Sequence, residues 1–373
     1  MELNALKALL EEKGVVGAGG AGFPAFRKLA PAETIIVNCA ECEPLLMLHK
    51  QLLAAEADKI VRALNIVAEA CGAKNTVIAL KHSYHDAISA VKAAGGNVKE
   101  LRSVYPAGDE VVLIFEVTGR VVQPGCIPIS QGVIVFNVET MYNIYNAVFE
   151  DSAVNEKLVT VTGEVASPVT LQVPLGTPFS ALLEAAGGVT TASPVLLVGG
   201  PMMGTLQPDT NTVTKTTNAV IVLPANHPLV LRKQTPISSE LKRASSACCQ
   251  CRTCTDLCPR HLLGHPIEPH KFMRAAANRN FGDTGIFLNA MFCSGCGVCE
   301  AYACPQGLSP RKLIAEYKAG MRQAGVFAPA VTGCTPEPDR EYHQIPSNRL
   351  AARLGLSRYN VPAPWVRKEH EGK

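Results

Sequence analysis

Two periodicities alternate along the first third of the chain. TIIVNC at 34–39 and TVIAL at 76–80 are short apolar runs rich in β-branched residues, the pattern of buried strands. Between them Leu53, Ala57, Ile60, Leu64 and Val67 recur at three- and four-residue spacing, which paints one face of a helix. A second helical stretch covers 84–94, and VKELRSV at 98–104 predicts a third strand. Over 35–104 the order is therefore strand, helix, strand, helix, strand, which predicts a parallel sheet flanked by helices. Ligands of such sheets bind at the carboxyl ends of the strands.

From about 157 to 224 the texture changes to short β-rich pieces, LVTVTGEV, VTLQVPLG, VLLVGG and AVIVLP, around a single helical stretch, FSALLEAAGG. This predicts a small α+β module of β-grasp type. A polar linker with Pro228 and Pro236 follows, then a helical segment with helices near 270–280 and 310–319. Past Ala328, proline and basic residues take over and the apolar positions thin out. That stretch is expected to wrap a surface rather than to build a domain.

Composition narrows the function classes. With 373 residues, 47% of them apolar and 18% charged, the chain is globular and large enough for several cores. A net charge of +3 and only 5% aromatic residues give neither the basic field nor the stacking platforms of a nucleic-acid binder. The N-terminal MELNALKALLEEKG reads as an amphipathic helix carrying Glu2, Glu11 and Glu12, unlike a secretory leader. No apolar run approaches the roughly 20 residues that span a bilayer, so the chain is expected not to be membrane-spanning.

Fourteen cysteines change the picture. Cys248, Cys251, Cys254 and Cys258-Pro259 form a C-x2-C-x2-C-x3-C-P run, and Cys293, Cys296, Cys299 and Cys304-Pro305 nearly repeat it. In two-cluster ferredoxins the fourth cysteine of each run ligates the other cluster. The spacing thus predicts one 4Fe-4S cluster on Cys248, Cys251, Cys254 and Cys304, and another on Cys293, Cys296, Cys299 and Cys258. Structural zinc prefers two pairs of ligands, and a disulfide framework belongs to small secreted chains. The second run has four residues, Glu300 to Ala303, where the pattern has three; one lengthened turn would absorb the extra residue. Cys249 is a surplus thiol without an assigned role. Thiols that must stay reduced place the protein in the cytoplasm.

A second chemical signal is the loop GAGGAGFP at 17–24, followed at 38–44 by NCAECEP. Dense glycine lets several backbone N–H groups approach a phosphate or a flavin edge. The loop is neither a Walker motif nor a clean GxGxxG, because it precedes the first strand instead of following it. On composition alone an ordinary flexible loop is an equal reading.

Together with YPAGDE at 105–110 and FNVET at 136–140, the two loops resemble the flavin-binding fold of the NADH-oxidising subunit of respiratory complex I. The chain is also similar to the C component of Rnf electron-transport complexes and, most of all, to the soluble cobalamin reductases of propanediol-utilisation microcompartments, the PduS family. RLGLSRYNVPAPW at 353–365 resembles the stretch after the clusters in those reductases, which continue into a further β-rich domain. The resemblance implies an α/β chain with a Rossmann-like FMN- and NADH-binding domain at 1–155 and a β-grasp, soluble-ligand-binding module at 156–230. A helical, ferredoxin-like domain with two 4Fe-4S clusters follows at 235–325, and an extended basic tail at 326–373.

It also implies roles. Gly17, Gly19, Gly20 and Gly22 would lie under the FMN, with Lys28 reaching its phosphate or ring. Asn38, Glu41, Tyr105, Gly108 and Asp109 fall on flavin-contacting positions, and Asn137 and Thr140 close around the ribityl-phosphate end. Phe23, Glu43 and Glu110 fall on the nicotinamide side. Two positions depart from the complex I pattern: Ala40 replaces an acidic flavin ligand, and Pro31 stands where that family has an aromatic that stacks on NADH.

The expected activity is an NADH-dependent flavin and iron-sulfur oxidoreductase that passes electrons through FMN and two 4Fe-4S clusters to cobalamin, in the cytoplasm or inside a bacterial microcompartment. NADH and cobalamin are the implied small-molecule substrates; an adenosyltransferase, a ferredoxin or microcompartment shell proteins are the implied partners. An Rnf-like electron-entry module that uses no corrin, and a non-catalytic electron conduit in a larger assembly, are the alternatives. No role in catalysis beyond cofactor and metal binding is assigned to any residue. His261, His265 and His270, between the cysteine runs, are expected at the surface or as helix caps, with contact to a corrin or a hydrogen bond that tunes a cluster as the alternative.

Overall fold

The computed structural model describes residues 1–280 and 282–366, which form two compact units. The first comprises residues 1–103, 132–230 and those from Ser357 onward; the second comprises 104–131 and 231–356.

In the first unit, a four-stranded parallel sheet runs in the order Val98–Leu101, Asn75–Lys81, Thr34–Cys39, Val133–Asn137. Ile35, Ile36 and Val37 are fully buried, as strands covered on both faces require. The long helix Leu48–Cys71 supplies the apolar stripe read from the sequence: Leu53, Ile60, Leu64 and Val67 are buried, and Gly72 closes it in the left-handed conformation. The chain reverses strand order between Thr34–Cys39 and Val133–Asn137, so their carboxyl ends flank the crevice where such sheets bind ligands. Asn38 and Asn137 are register partners at that edge.

The same unit holds a six-stranded mixed sheet ordered Trp365–Val366, Val169–Pro174, Glu156–Gly163, Ala219–Pro224, Pro194–Val198, Thr205–Gln207. Its core packs Val159, Val161, Val220 and Val222 against Phe179 and Leu182 of the single helix Phe179–Ala185. This is the β-grasp pattern expected of the α+β segment.

The second unit is mainly helical. Ile237–Ala247, Pro269–Ala277, Thr284–Ala290 and Pro310–Gln323 enclose a core of Phe272, Met273, Phe287, Leu313 and Ile314. Two features differ from the linear reading. VKELRSV is one strand only to Leu101; Val104–Tyr105 belongs to the second unit, where it pairs antiparallel with Ile345–Pro346. The stretch expected as an extended tail is also more ordered than a strap. Within the second unit the helix Ser347–Arg353 buries Leu350 and Ala351, and within the first Trp365–Val366 adds an edge strand beside Val169–Pro174. Three sparse leucines, Leu350, Leu354 and Leu356, are buried here. Among the described residues no helix is long and apolar enough to cross a membrane.

Candidate functional site

The glycine loop follows the helix Leu3–Glu12 and is closed on itself: Gly17 N–H donates to Phe23 O at 2.8 Å and Gly22 N–H to Gly17 O at 3.1 Å. Gly20 and Gly22 have φ of 116° and 64°, where a side chain would be strained. A Cβ on Gly19 would lie 3.0 Å from Asn137 Nδ2, so the loop backbone rests directly on that asparagine. Ala18 N–H donates to Thr140 Oγ1 at 3.0 Å. The N–H groups of Gly19, Gly20 and Ala21 find no acceptor among the described residues. Three consecutive free donors over a strand-end crevice form an anion cradle, and this fits a flavin phosphate or ring edge.

Neighbouring side chains are held rigidly. Asn137 caps the helix Val138–Phe149 by accepting from Glu139 N–H at 2.9 Å, and Asn38 Oδ1 accepts from Ala40 N–H at 3.0 Å. Lys28 Nζ donates to Val135 O at 3.0 Å, within the strand Val133–Asn137. Glu41 is buried; its Oε1 accepts from His49 N–H at 3.4 Å, while its Oε2 has no protein partner. Phe23 is 45% exposed at the loop. Glu43, expected on the nicotinamide side, has both carboxylate oxygens engaged by backbone: Met202 N–H at 2.8 Å and Met203 N–H at 2.9 Å. Cys39 is wholly buried, with its Sγ on His49 O at 3.5 Å, and burial pushes the thiol well above its usual value. It is a packing residue.

Tyr105, Gly108, Asp109 and Glu110 belong to the second unit, with the cysteine runs. There Tyr105 Oη donates to Cys296 O at 2.6 Å. Asp109 caps the helix Glu110–Thr118 through Val111 and Val112 N–H and pairs with Arg260 at 3.0 Å.

The eight thiols gather as two quartets. Cys248, Cys251, Cys254 and Cys304 line one pocket, together with Cys249 and His270. Burial and the charges of Cys304, Cys248 and Cys251 push the Cys254 thiol up to about 12. In the other quartet burial drives Cys258 up to about 11, with Cys293 adding to it; Cys296 is raised by burial and by Cys258 and Cys293, and Cys299 by burial, Glu300 and the other three thiols. Four thiols crowded in apolar surroundings resist ionisation unless a cation joins them, and cluster iron supplies that charge. Among the described residues no group of His, Cys, Asp or Glu is drawn together to hold a single metal ion. Gln250 Nε2, Gly295 N–H and Leu308 N–H donate to the sulfurs of Cys248, Cys293 and Cys304 at 3.1–3.3 Å, contacts that tune a cluster's potential. The extra residue of the second run is taken up by a π-helical turn over Cys299–Ala303.

Three segments match family models: 10–146 the Nuo51 FMN-binding domain, 158–206 the SLBB domain and 247–309 the 4Fe-4S dicluster domain. Cobalamin reductase PduS of Salmonella typhimurium is 43% identical, and that of Citrobacter freundii 41%, each over 99% of this chain and 83% of the relative. The chain belongs to the PduS cobalamin reductase family. The C component of the Na(+)-translocating ferredoxin:NAD(+) oxidoreductase complex of Acetobacterium woodii is 31% identical over 78% of this chain and 64% of its own length. Among solved structures an NAD+-reducing [NiFe]-hydrogenase in its H2-reduced state shares the fold, with a TM-score of 0.58 at 20% identity over 90% of this chain and 69% of that one.

Three site residues escaped the sequence reading: His49, Glu139 and Lys157. His49 Nδ1 is 3.8 Å from Glu41 Oε1, and its Nε2 is 3.9 Å from Glu139 Oε2 and 3.4 Å from Asn137 Nδ2. Glu139 in turn pairs with the wholly buried Lys157 at 2.5 Å. The available signals were Glu139 inside FNVET and a lysine opening an apolar strand. His265, expected at the surface or a cap, is buried with Nε2 on Val122 O at 3.0 Å. His270 bonds Thr255 Oγ1 at 2.7 Å beside the first quartet.

Proposed function

We propose that this chain is a cobalamin reductase that takes electrons from NADH and delivers them singly to a corrin through FMN and two 4Fe-4S clusters. The observation that carries the reading is the presence of both cofactor constellations in a chain that spans 83% of cobalamin reductase PduS. Bound FMN converts a two-electron hydride donor into a source of single electrons, and the clusters relay one electron at a time.

In this reading the residues bind and orient. The free N–H groups of 19–21 and the capped Asn137 hold the flavin from the glycine-loop side, Glu41 offers its unpaired Oε2 to it, and Thr140 fixes the loop. Cys248, Cys251, Cys254 and Cys304 hold one cluster; Cys258, Cys293, Cys296 and Cys299 hold the other. Tyr105 donates to Cys296 O and Asp109 pairs with Arg260, two residues past Cys258; as both positions are flavin-side in the proposed site, the second quartet is proposed to receive electrons first. Gly17, Gly20, Gly22, Lys28, Asn38 and Gly108 complete the flavin side, and Phe23, Glu43 and Glu110 the nicotinamide side. The site of action is the cytoplasm or a microcompartment lumen, with an adenosyltransferase, a ferredoxin or shell proteins as partners.

A second reading has electrons entering from a donor other than NADH. It is favoured by Glu43, whose carboxylate already serves the 202–203 backbone. One experiment separates them: anaerobic titration of cluster-reconstituted, FMN-loaded protein with NADH, followed by hydroxocobalamin. Flavin bleaching and then cob(II)alamin formation is the expected result. Bleaching without corrin reduction removes cobalamin as acceptor; absence of bleaching removes NADH as donor.

A further inference from the structure

A 4Fe-4S cluster on four thiolates is an anion, and each electron that it takes adds one negative charge, so fixed charges beside the thiols help to set its potential. The two quartets differ in such charges. This comparison rests on the proposed pairing of Cys258 with Cys293, Cys296 and Cys299, and of Cys304 with the first run.

The side-chain donors to sulfur in the first quartet are neutral: Gln250 Nε2 reaches Cys248 Sγ at 3.1 Å and Thr253 Oγ1 reaches Cys251 Sγ at 3.4 Å. The basic side chains on that pocket's wall are Arg252, which is paired with Asp256 at 3.0 Å, and His270, which bonds Thr255.

Two cations near the second quartet likewise have carboxylate partners. Arg260, two residues past Cys258, pairs with Asp109 at 3.0 Å, and Arg311 pairs at 3.4 Å with Glu300, inside the π-helical turn that begins at Cys299. Lys318, on the helix Pro310–Gln323, is different. It is half-buried, its Nζ donates to Cys293 O at 2.6 Å, and among the described residues no carboxylate pairs with it. The charged groups that act on it are Cys293, which favours its cationic form, and Arg322 and Arg260, which oppose it. Taking an ammonium out of water without an anion is costly, and the anion to which its hydrogen bond ties it is the cluster that Cys293 would ligate. All these residues lie in the second unit.

We propose that Lys318 is a positioning residue: its ammonium, held on the Cys293 carbonyl, is the fixed counter-charge of the cluster on Cys258, Cys293, Cys296 and Cys299, and raises the reduction potential of that cluster. The proposed first acceptor of flavin electrons is thereby easier to reduce than its four ligands alone would make it.

The test is an anaerobic dithionite titration, monitored by electron paramagnetic resonance, of the cluster-reconstituted full chain in three forms: unaltered, Lys318→Met and Lys318→Arg. Iron and acid-labile sulfide are measured in parallel. With both clusters retained, Lys318→Met should move one cluster to lower potential by at least about tenfold in its equilibrium constant, 59 mV for one electron, and leave the other in place, while Lys318→Arg should titrate with the unaltered protein. The cluster that moves should be the one that Cys304→Ala retains. No shift in Lys318→Met, an equal shift of both clusters, a shift confined to the other cluster, or the same shift in Lys318→Arg overturns the role. Should Lys318→Met lose iron, Lys318→Arg decides: loss of a single cluster that arginine restores supports the counter-charge, whereas loss of both clusters, or a loss that arginine does not restore, overturns it. Fewer than two clusters in the unaltered protein would instead overturn the assignment of the quartets.

Discussion

Replacing Lys157 by methionine tests the electrostatics of the first unit directly. The Lys157 ammonium has three acceptors, Glu139 Oε2 at 2.5 Å, Asn218 Oδ1 at 2.9 Å and Leu158 O at 3.0 Å, and both members of the pair are buried. Methionine preserves most of the apolar stem but strands the Glu139 carboxylate with only Leu158 N–H at 3.2 Å as a direct donor. Breaking a buried pair from one side costs about 3–5 kcal/mol. At roughly 2–4 °C per kcal/mol for a unit of this class, the melting temperature should fall by about 6–20 °C at pH 7.5. The sign of the pH effect follows from Glu139. In the unaltered protein its folded value lies below its unfolded one, so it contributes stability above the unfolded carboxylate value and loses it as pH falls through the folded value. Without Lys157 only His49 still opposes the burial effect, so Glu139 should rise and the deficit should be largest at neutral pH and shrink towards pH 5. Glu139→Gln/Lys157→Met, with no stranded charge, should recover part of the loss. Circular dichroism melts at both pH values read all three outcomes. A Lys157→Met protein melting within about 2 °C of the parent at pH 7.5, or losing as much at pH 5, would refute the reasoning.

Four further outcomes are expected. Gly19→Val places a branched side chain where even a Cβ would meet Asn137 at 3.0 Å; acid-released flavin should fall at least tenfold while iron and sulfide stay unchanged, and stoichiometric flavin would take the loop out of the site. Cys304→Ala should lose one of two clusters by iron and acid-labile sulfide analysis, whereas Cys249→Ala should keep both. His265 is held down to about 4 by burial and by Arg260, against 6.5 for the free side chain. Its neutral form therefore adds stability in full above pH 6.5 that is lost as pH falls towards 4, about 1–2 kcal/mol after discounting for partial solvent access; chemical denaturation of His265→Gln should show a shallower loss over that window, and an unchanged slope would discard the assignment. Glu43→Ala removes two charge-assisted bonds from the 202–203 backbone, so hydrogen exchange at Met202 and Met203 should accelerate at least tenfold, and unchanged protection would show the turn to be held by other contacts.

The parts of this molecule that announce themselves in the sequence are those where one physical rule acts locally. The strands Thr34–Cys39 and Asn75–Lys81 and the helix between them follow from periodicity because their apolar positions are buried and their neighbours are consecutive. The crossing of Cys258 and Cys304 between quartets is legible because a motif of fixed spacing carries it, and the π-turn absorbs the one irregularity. What periodicity misses lies across long separations. Val104–Tyr105 continues an apolar run but takes its partner from Ile345–Pro346, a pairing that leaves no local trace. His49, Glu139 and Lys157 come from three different elements, and each alone reads as an ordinary polar residue beside a helix or strand end. Leu350, Leu354 and Leu356 are too few for a recognisable stripe, yet each is buried.

The break after Leu101 has a consequence for how electrons would move. The positions Tyr105 and Asp109, expected on the flavin side, fall in the compact unit of the thiols. Both are fixed to the Cys258–Cys293–Cys296–Cys299 side, Tyr105 through Cys296 O and Asp109 through Arg260, which follows Cys258 by two residues. Asp109 adds the backbone N–H groups of a helix start to that tie. The detour of this segment out of the parallel sheet, invisible to periodicity, is what sets two positions expected on the flavin side beside the second quartet: Tyr105 on Cys296 O and Asp109 on Arg260.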